Sequence, residues 1–188
     1  MKYMSFMLAM IFAANSFAGE LHELEGYTLS TYDKIVGQPE VRGDPIRGDY
    51  SGVWFSGKVL ISGNLRFQRE PDDVDDACNG ICASFLPDAQ SAKRLPRLVI
   101  KGTTTEIGID AIDLFEGKPI MVKALGAIKA KSVLSKNFNT YQVPAKITIT
   151  DYHIEIGCDH VYYEATFVNA FVTSYLAQTT NALADAGC

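Results

Sequence analysis

Apolar and polar side chains alternate along residues 52–68. Val53, Phe55, Val59, Ile61, Leu65 and Phe67 hold the odd positions together with Gly57 and Gly63, and Trp54, Ser56, Lys58, Leu60, Ser62, Asn64 and Arg66 fall between them. A period of two predicts a strand buried on one side. The run is longer than an ordinary strand, so a bend or bulge is expected at Gly57 or Gly63. A second alternation covers 142–152, with Val143, Ile147 and Ile149 on one face and Lys146, Thr148 and Thr150 on the other. Residues 119–131 are apolar on nearly both faces, Ile120, Val122, Ala124, Gly126 and Ile128 alternating with Met121, Lys123, Leu125 and Ala127. That pattern predicts a central barrel strand facing 142–152, with Gly126 permitting a sharp bend.

Weaker signals fill the remainder. Residues 19–50 carry Gly37, Pro39, Gly43, Pro45 and Gly48, too much punctuation for a long element, and read as an irregular entry segment with one short helix or edge strand. Pro87 or Asp88 opens a short helix that Pro96 stops, with Lys93 and Arg94 suited to its C-terminal end. Residues 98–101 and 103–109 read as brief strands, 111–116 as a helical turn, 153–156 as a continuation of the preceding strand, and 161–172 as a further strand.

Charge and cysteine usage set the address. Residues 1–18 read as a secretory signal peptide: Lys2, an apolar run over 4–14, and Ser16-Phe17-Ala18 as a small-x-small cleavage site. The domain plan is therefore a signal peptide over 1–18, the entry segment over 19–50, and one β-barrel domain over 51–188. No apolar run long enough to cross a bilayer follows the signal, and a periplasmic or secreted location is expected. The formal charge is −5, and no block of Lys or Arg stands out, which makes nucleic acid and anionic membrane poor partners. In an oxidising compartment Cys78, Cys82, Cys158 and Cys188 are expected as disulfides, with three pairings possible. We favour Cys78–Cys82 around Asn79-Gly80, and Cys158–Cys188 pinning the C-terminal tail.

A long glycine-punctuated strand, short strands with a small helix between, Gly117-Lys118-Pro119-Ile120-Met121-Val122 and then Ile147-Thr148-Ile149-Thr150-Asp151-Tyr152 resemble, over residues 52–155, small exported bacterial proteins with an OB-fold-like barrel. The resemblance implies a mainly β fold, a small closed or partly closed OB-like barrel with one or two short helices, whose sheet face and loops bind oligonucleotides or oligosaccharides.

The chemistry on offer is sparse. Asp72, Asp73, Asp75, Asp76 and Asn79 supply oxygen ligands but lack the register of a calcium loop, and read as a solvated acidic turn. Cys78 and Cys82 with His153 or His160 would suit a soft metal such as Cu(I) in a periplasmic metal-handling protein, but an ordinary disulfide is the simpler reading. His153 follows Asp151 and Asp159 precedes His160, so a hydrolase using either histidine is the alternative, yet no Gly-x-Ser-x-Gly or His-Glu-x-x-His motif accompanies them. Trp54, Phe55 and Phe67, with Tyr162, Tyr163 and Phe167, would offer an aromatic face to a sugar or protein, but aromatics in strands are more often core; Trp54, Tyr162 and His153 stand as the possible ligand-facing residues. The expectation is an exported, non-enzymatic binding or structural protein, without catalytic set, cofactor or metal, whose partner is a protein or saccharide and not nucleic acid.

Overall fold

A computed structural model describes residues 26–43, 51–69, 78, 80–136, 138–157, 160–174 and 178–180. The expected signal peptide, His22, the acidic turn and the Cys158–Cys188 bridge lie outside the described residues.

The alternating stretch at 52–68 forms two strands, β3 and β4. In chain order the strands are β1 (Tyr27–Leu29), β2 (Pro39–Gly43), β3 (Ser51–Phe55), β4 (Val59–Arg69), β5 (Ile81–Pro87), β6 (Leu98–Ile100), β7 (Ile112–Glu116), β8 (Thr140–Ile156), β9 (Val161–Val172) and β10 (Gln178–Thr180). Helices α1 (Ala89–Arg94), α2 (Gly117–Leu125) and α3 (Ala127–Leu134) join them. Phe55 closes its pairing with Tyr152, and Val59 opens a new one with Ile149, both on β8. The intervening Gly57 has no room for a side chain: a Cβ there would lie 2.1 Å from the Ile35 carbonyl oxygen. Its N–H donates to the Val36 carbonyl at 2.8 Å, so the break is held by the entry segment. That segment contributes edge strand β2, paired with β3, and a short 3₁₀ turn over Lys34–Val36.

The main sheet runs β2-β3-β8-β4-β5-β7-β9, with β10 on β8. Because β8 also pairs with β9, the strands β8, β4, β5, β7 and β9 form a ring. All of its pairings are antiparallel except β7 with β9. The architecture is thus mainly β and partly closed into a barrel, as expected, with three short α-helices among the described residues where one or two were expected. The alternating positions fill its interior: Val53, Phe55, Val59, Ile61, Leu65, Phe67, Val143, Ile147 and Ile149 are all buried. Helix α1 sits where its signals place it, with the Asp88 carboxylate accepting from the Ser91 N–H at 2.7 Å.

Three local expectations are overturned. Residues 119–131 are not a strand but the helices α2 and α3, hinged at Gly126 with φ +79°. The side chains that anchor them are Ile120, Met121, Leu125, Ala130 and Val133, whose spacing is helical. A run this apolar satisfies period two and period 3.6 together, and Pro119 falls in the first turn, where a helix needs no N–H. Residues 111–116 form no helical turn but contain strand β7 (Ile112–Glu116): Ile112 and Leu114 are buried and Asp113 faces out, an alternation too short to stand clear of noise. Residues 103–109 form no strand and carry only an isolated bridge between Val99 and Glu106.

Candidate functional site

The site begins with an irregularity in β8. Ile147 and Ile149 face the core, and unbroken alternation would send Asp151, His153 and Glu155 inward after them. Instead the pairing with β9 slips between Thr150 and His153, and Asp151 takes a left-handed conformation with φ 50°. This bulge resets the parity, so Tyr152 and Ile154 are the buried residues and His153 comes to the outside. The inserted residue lies opposite the break at 56–58 in the partner strands, so the two irregularities share one corner of the barrel.

His153 then stands between two partners given by register alone, Trp54 on β3 and Glu164 on β9. Its ring lies parallel to the Trp54 indole, with centroids 5.3 Å apart and 10° between planes. Nε2 meets the Glu164 carboxylate at 2.9 Å, and Nδ1 lies 3.1 Å from the Asp151 carbonyl oxygen. A carbonyl can only accept, so Nδ1 carries a hydrogen; the Nε2–carboxylate contact then holds a second proton shared by the pair. Burial works against the charged imidazole, but the Glu164 hydrogen bond, the Asp151 carbonyl and the charges of Glu164 and Glu155 outweigh it, and the His153 pKa is raised. With both nitrogens engaged by neighbouring groups, His153 is held in place and leaves no open nitrogen to serve as a general base.

On the other side of Trp54, β2 brings the Arg42 guanidinium to 5.4 Å from the indole centroid, within cation–π range. Arg42 also donates to Glu40 at 2.6 Å. Gly52 makes room for the indole, since a Cβ there would lie 2.6 Å from its ring carbons. Gln38, Glu40, Arg42, Trp54, Phe55, Ser56, Asp151, His153 and Thr166 line a cavity of about 310 Å³ at this corner.

The polar row continues around the barrel. Cross-strand partners lead from Trp54 through His153, Glu164, Asp113 and Ser84 to Arg66. Arg66 donates to Ser84 at 2.9 Å. Asp113 has its pKa raised, first by burial and then by the charge of Glu164, with Arg66 pulling the other way. A cavity of about 250 Å³ opens at the Arg66 end, lined in part by Gln68, Asp113, Phe115 and the bridge Cys78–Cys82.

The structure therefore brings together Trp54 and His153 but leaves Tyr162 aside. Tyr162 is exposed and pairs with Glu155, one step along the sheet from the cavity lining. His160 lies near Tyr162, ring centroids 6.1 Å apart, in a separate cavity with Tyr27 and Asp110, and no hydrogen bond joins it to Asp110 among the described residues. Cys78 and Cys82 are joined to each other, so their thiolates are not offered as metal ligands, and no cluster of three or more metal-ligating side chains occurs among the described residues. Arg42, Glu164 and Asp113 drew no notice in the sequence, because only the strand register places them here. No family model matches the chain, and no curated protein or solved structure matches it.

Proposed function

We propose that the chain is an exported, non-enzymatic binding protein with an OB-like barrel, and that the corner cavity at Trp54 receives a saccharide. The observation that carries this reading is the engagement of both His153 nitrogens beside the indole. It makes the wall of the cavity rigid and removes the free imidazole nitrogen that a hydrolytic base requires. Around that wall Gln38, Glu40, Ser56, Asp151 and Thr166 supply amide, carboxylate and hydroxyl groups, the set that sugar hydroxyls use, next to an aromatic edge. The carboxylates Glu40 and Asp151 of the lining, with Glu164 and Asp113 along the adjoining row, disfavour a phosphate backbone. A ring of five strands with short helices suits the OB-like reading, though the cavity lies at β2, β3 and β8 and away from the β5–β7 face that such barrels commonly use. Export is supported by the bridge Cys78–Cys82, and no helix among the described residues is long and apolar enough to cross a membrane.

Trp54 is the sole tryptophan, so its emission reports on the cavity directly. Titration with glucan and N-acetylglucosamine oligomers should change that emission saturably, and calorimetry should show the binding heat lost in Trp54→Ala. Silence with every oligomer, together with ester or peptide hydrolysis that disappears in His153→Gln, would move the protein to the hydrolase class.

A further inference from the structure

The five lysines between residues 117 and 136 escape notice in the sequence because they are dispersed: Lys118, Lys123, Lys129, Lys131 and Lys136, with no Asp or Glu among them. Folding exposes them. Helices α2 and α3 meet in an elbow at Gly126, and all five lysines are exposed on the two helices and the turn that follows α3. The elbow thus carries +5 in a chain of net −5, which leaves −10 on the rest of the molecule.

The same elbow exposes apolar surface. Ile128, in the first turn of α3, is 91% exposed, and Val122 on α2 is 44% exposed. Next to Ile128 an open apolar groove of about 660 Å³ runs along Leu125, Gly126 and Ala127. An isoleucine held almost wholly in water, close to the Gly126 hinge and followed by Lys129 and Lys131, is the arrangement that a lipid headgroup layer rewards: the apolar side chain enters the acyl boundary while the ammonium groups meet phosphate. We propose that the α2–α3 elbow docks the protein onto the surface of an anionic phospholipid bilayer. Charge complementarity selects this occupant. A second copy would set one lysine-rich elbow against another. Nucleic acid would use the charge but leave Ile128 in water, and no aromatic residue lies between 117 and 136 to stack on a base. Lys123 is partly committed, its ammonium 5.7 Å from the Phe167 ring, so Lys129 and Lys131 beside Ile128 should contribute most.

Sedimentation with vesicles tests this. Vesicles of phosphatidylcholine and phosphatidylglycerol in equal parts should carry the protein down at low ionic strength, added salt should release it, and phosphatidylcholine alone should not bind it. Each lysine replaced should weaken partitioning by about fivefold, so Lys129→Gln with Lys131→Gln should nearly abolish it. Ile128→Ser should weaken it without changing the melting temperature, since that side chain packs against almost nothing. Three results would each overturn the proposal: no sedimentation with the mixed vesicles at low salt, equal sedimentation of parent and variants, or a dimer of the parent that Ile128→Ser dissociates.

Discussion

The imidazole of His153 lies parallel to the indole of Trp54, 5.3 Å between centroids, while its Nε2 holds the Glu164 carboxylate at 2.9 Å. Strand register imposes both contacts, and together they make the indole a sensor of the imidazole's charge. A protonated imidazole quenches an adjacent indole, so the emission of Trp54 should rise with pH as His153 loses its proton. The midpoint should lie above about 6.5, the ordinary histidine value, because the folded-state pKa is raised. In Glu164→Gln the strongest of the raising contributions is gone while burial remains, so the midpoint should move down. An unchanged midpoint in that variant would show that Glu164 does not hold the imidazolium.

The same titration carries a sign for stability. His153 has a folded pKa above its unfolded value, so its contribution is fully present below about pH 6.5 and is lost as pH rises through the folded pKa. Asp113, also raised, acts in the same direction in the acid range: the folded state holds its proton more tightly, and that advantage is lost as pH climbs through its raised pKa. Thermal denaturation should therefore show a melting temperature that declines as pH rises above about 6.5 and through the raised His153 pKa, and His153→Gln should flatten the decline. A melting temperature that rises over this interval would contradict the assignment.

The strands that bury one face were legible because alternation is a local signal. Val59, Ile61, Ile147 and Ile149 could be assigned to one core from period two alone, and all four are buried. Residues 119–131 were not legible, since Ile120 and Met121 side by side, then Leu125, read equally as a strand buried on both faces or as a helix. What separates the readings is whether the neighbouring element offers a groove or a sheet edge, and that is tertiary. The site was half legible. Trp54 and His153 could be named as aromatic and titratable residues outside the core pattern, whereas Glu164 and Arg42 acquire meaning only as their cross-strand neighbours. The parity reset at Asp151 leaves no mark in composition.

The assignment of faces in β8 is directly testable. Ile149 is buried and Thr148, its neighbour, points out of the core. Burial of an aliphatic side chain is worth ~1.5–3 kcal/mol, and a charge in its place adds a desolvation cost. Ile149→Asp should abolish cooperative unfolding, and Thr148→Asp should leave a sharp transition near that of the parent. Similar melting curves for both would mean that the strand faces are reversed.

The break between β3 and β4 rests on a close approach of backbone to backbone. A methyl group at Gly57 would meet the Ile35 and Val36 carbonyl groups at about 2 Å, atoms that cannot swing aside as a side chain would. Gly57→Ala should cost roughly 1–3 kcal/mol, the range for forced overpacking. Gly108→Ala is the matched control, because nothing lies within 4 Å of a Cβ there. Urea denaturation of the two variants should separate them clearly, and equal midpoints would remove the entry segment as the clamp on this corner.

The bulge at Asp151 makes the most specific demand on a single residue, because the site exists only if the parity of β8 changes there. With φ 50°, Asp151 occupies the left-handed region that asparagine, aspartate and glycine tolerate and β-branched residues resist. Asp151→Gly should therefore fold at least as well as the parent, whereas Asp151→Val should lose roughly 1–2 kcal/mol. The valine variant has a second consequence that a merely local strain would not produce. If β8 relieves the strain by straightening, His153 turns toward the interior, its contact with Trp54 is broken, and the pH dependence of tryptophan emission disappears. Glycine at 151 should keep that dependence, since the bulge and the carbonyl that accepts from His153 Nδ1 both survive the substitution. Retention of the full titration in a destabilised Asp151→Val would show that the bulge is fixed by the break at 56–58 and not by residue 151. Loss of the titration in Asp151→Gly would show that the carboxylate of Asp151, and not its backbone, orients the imidazole.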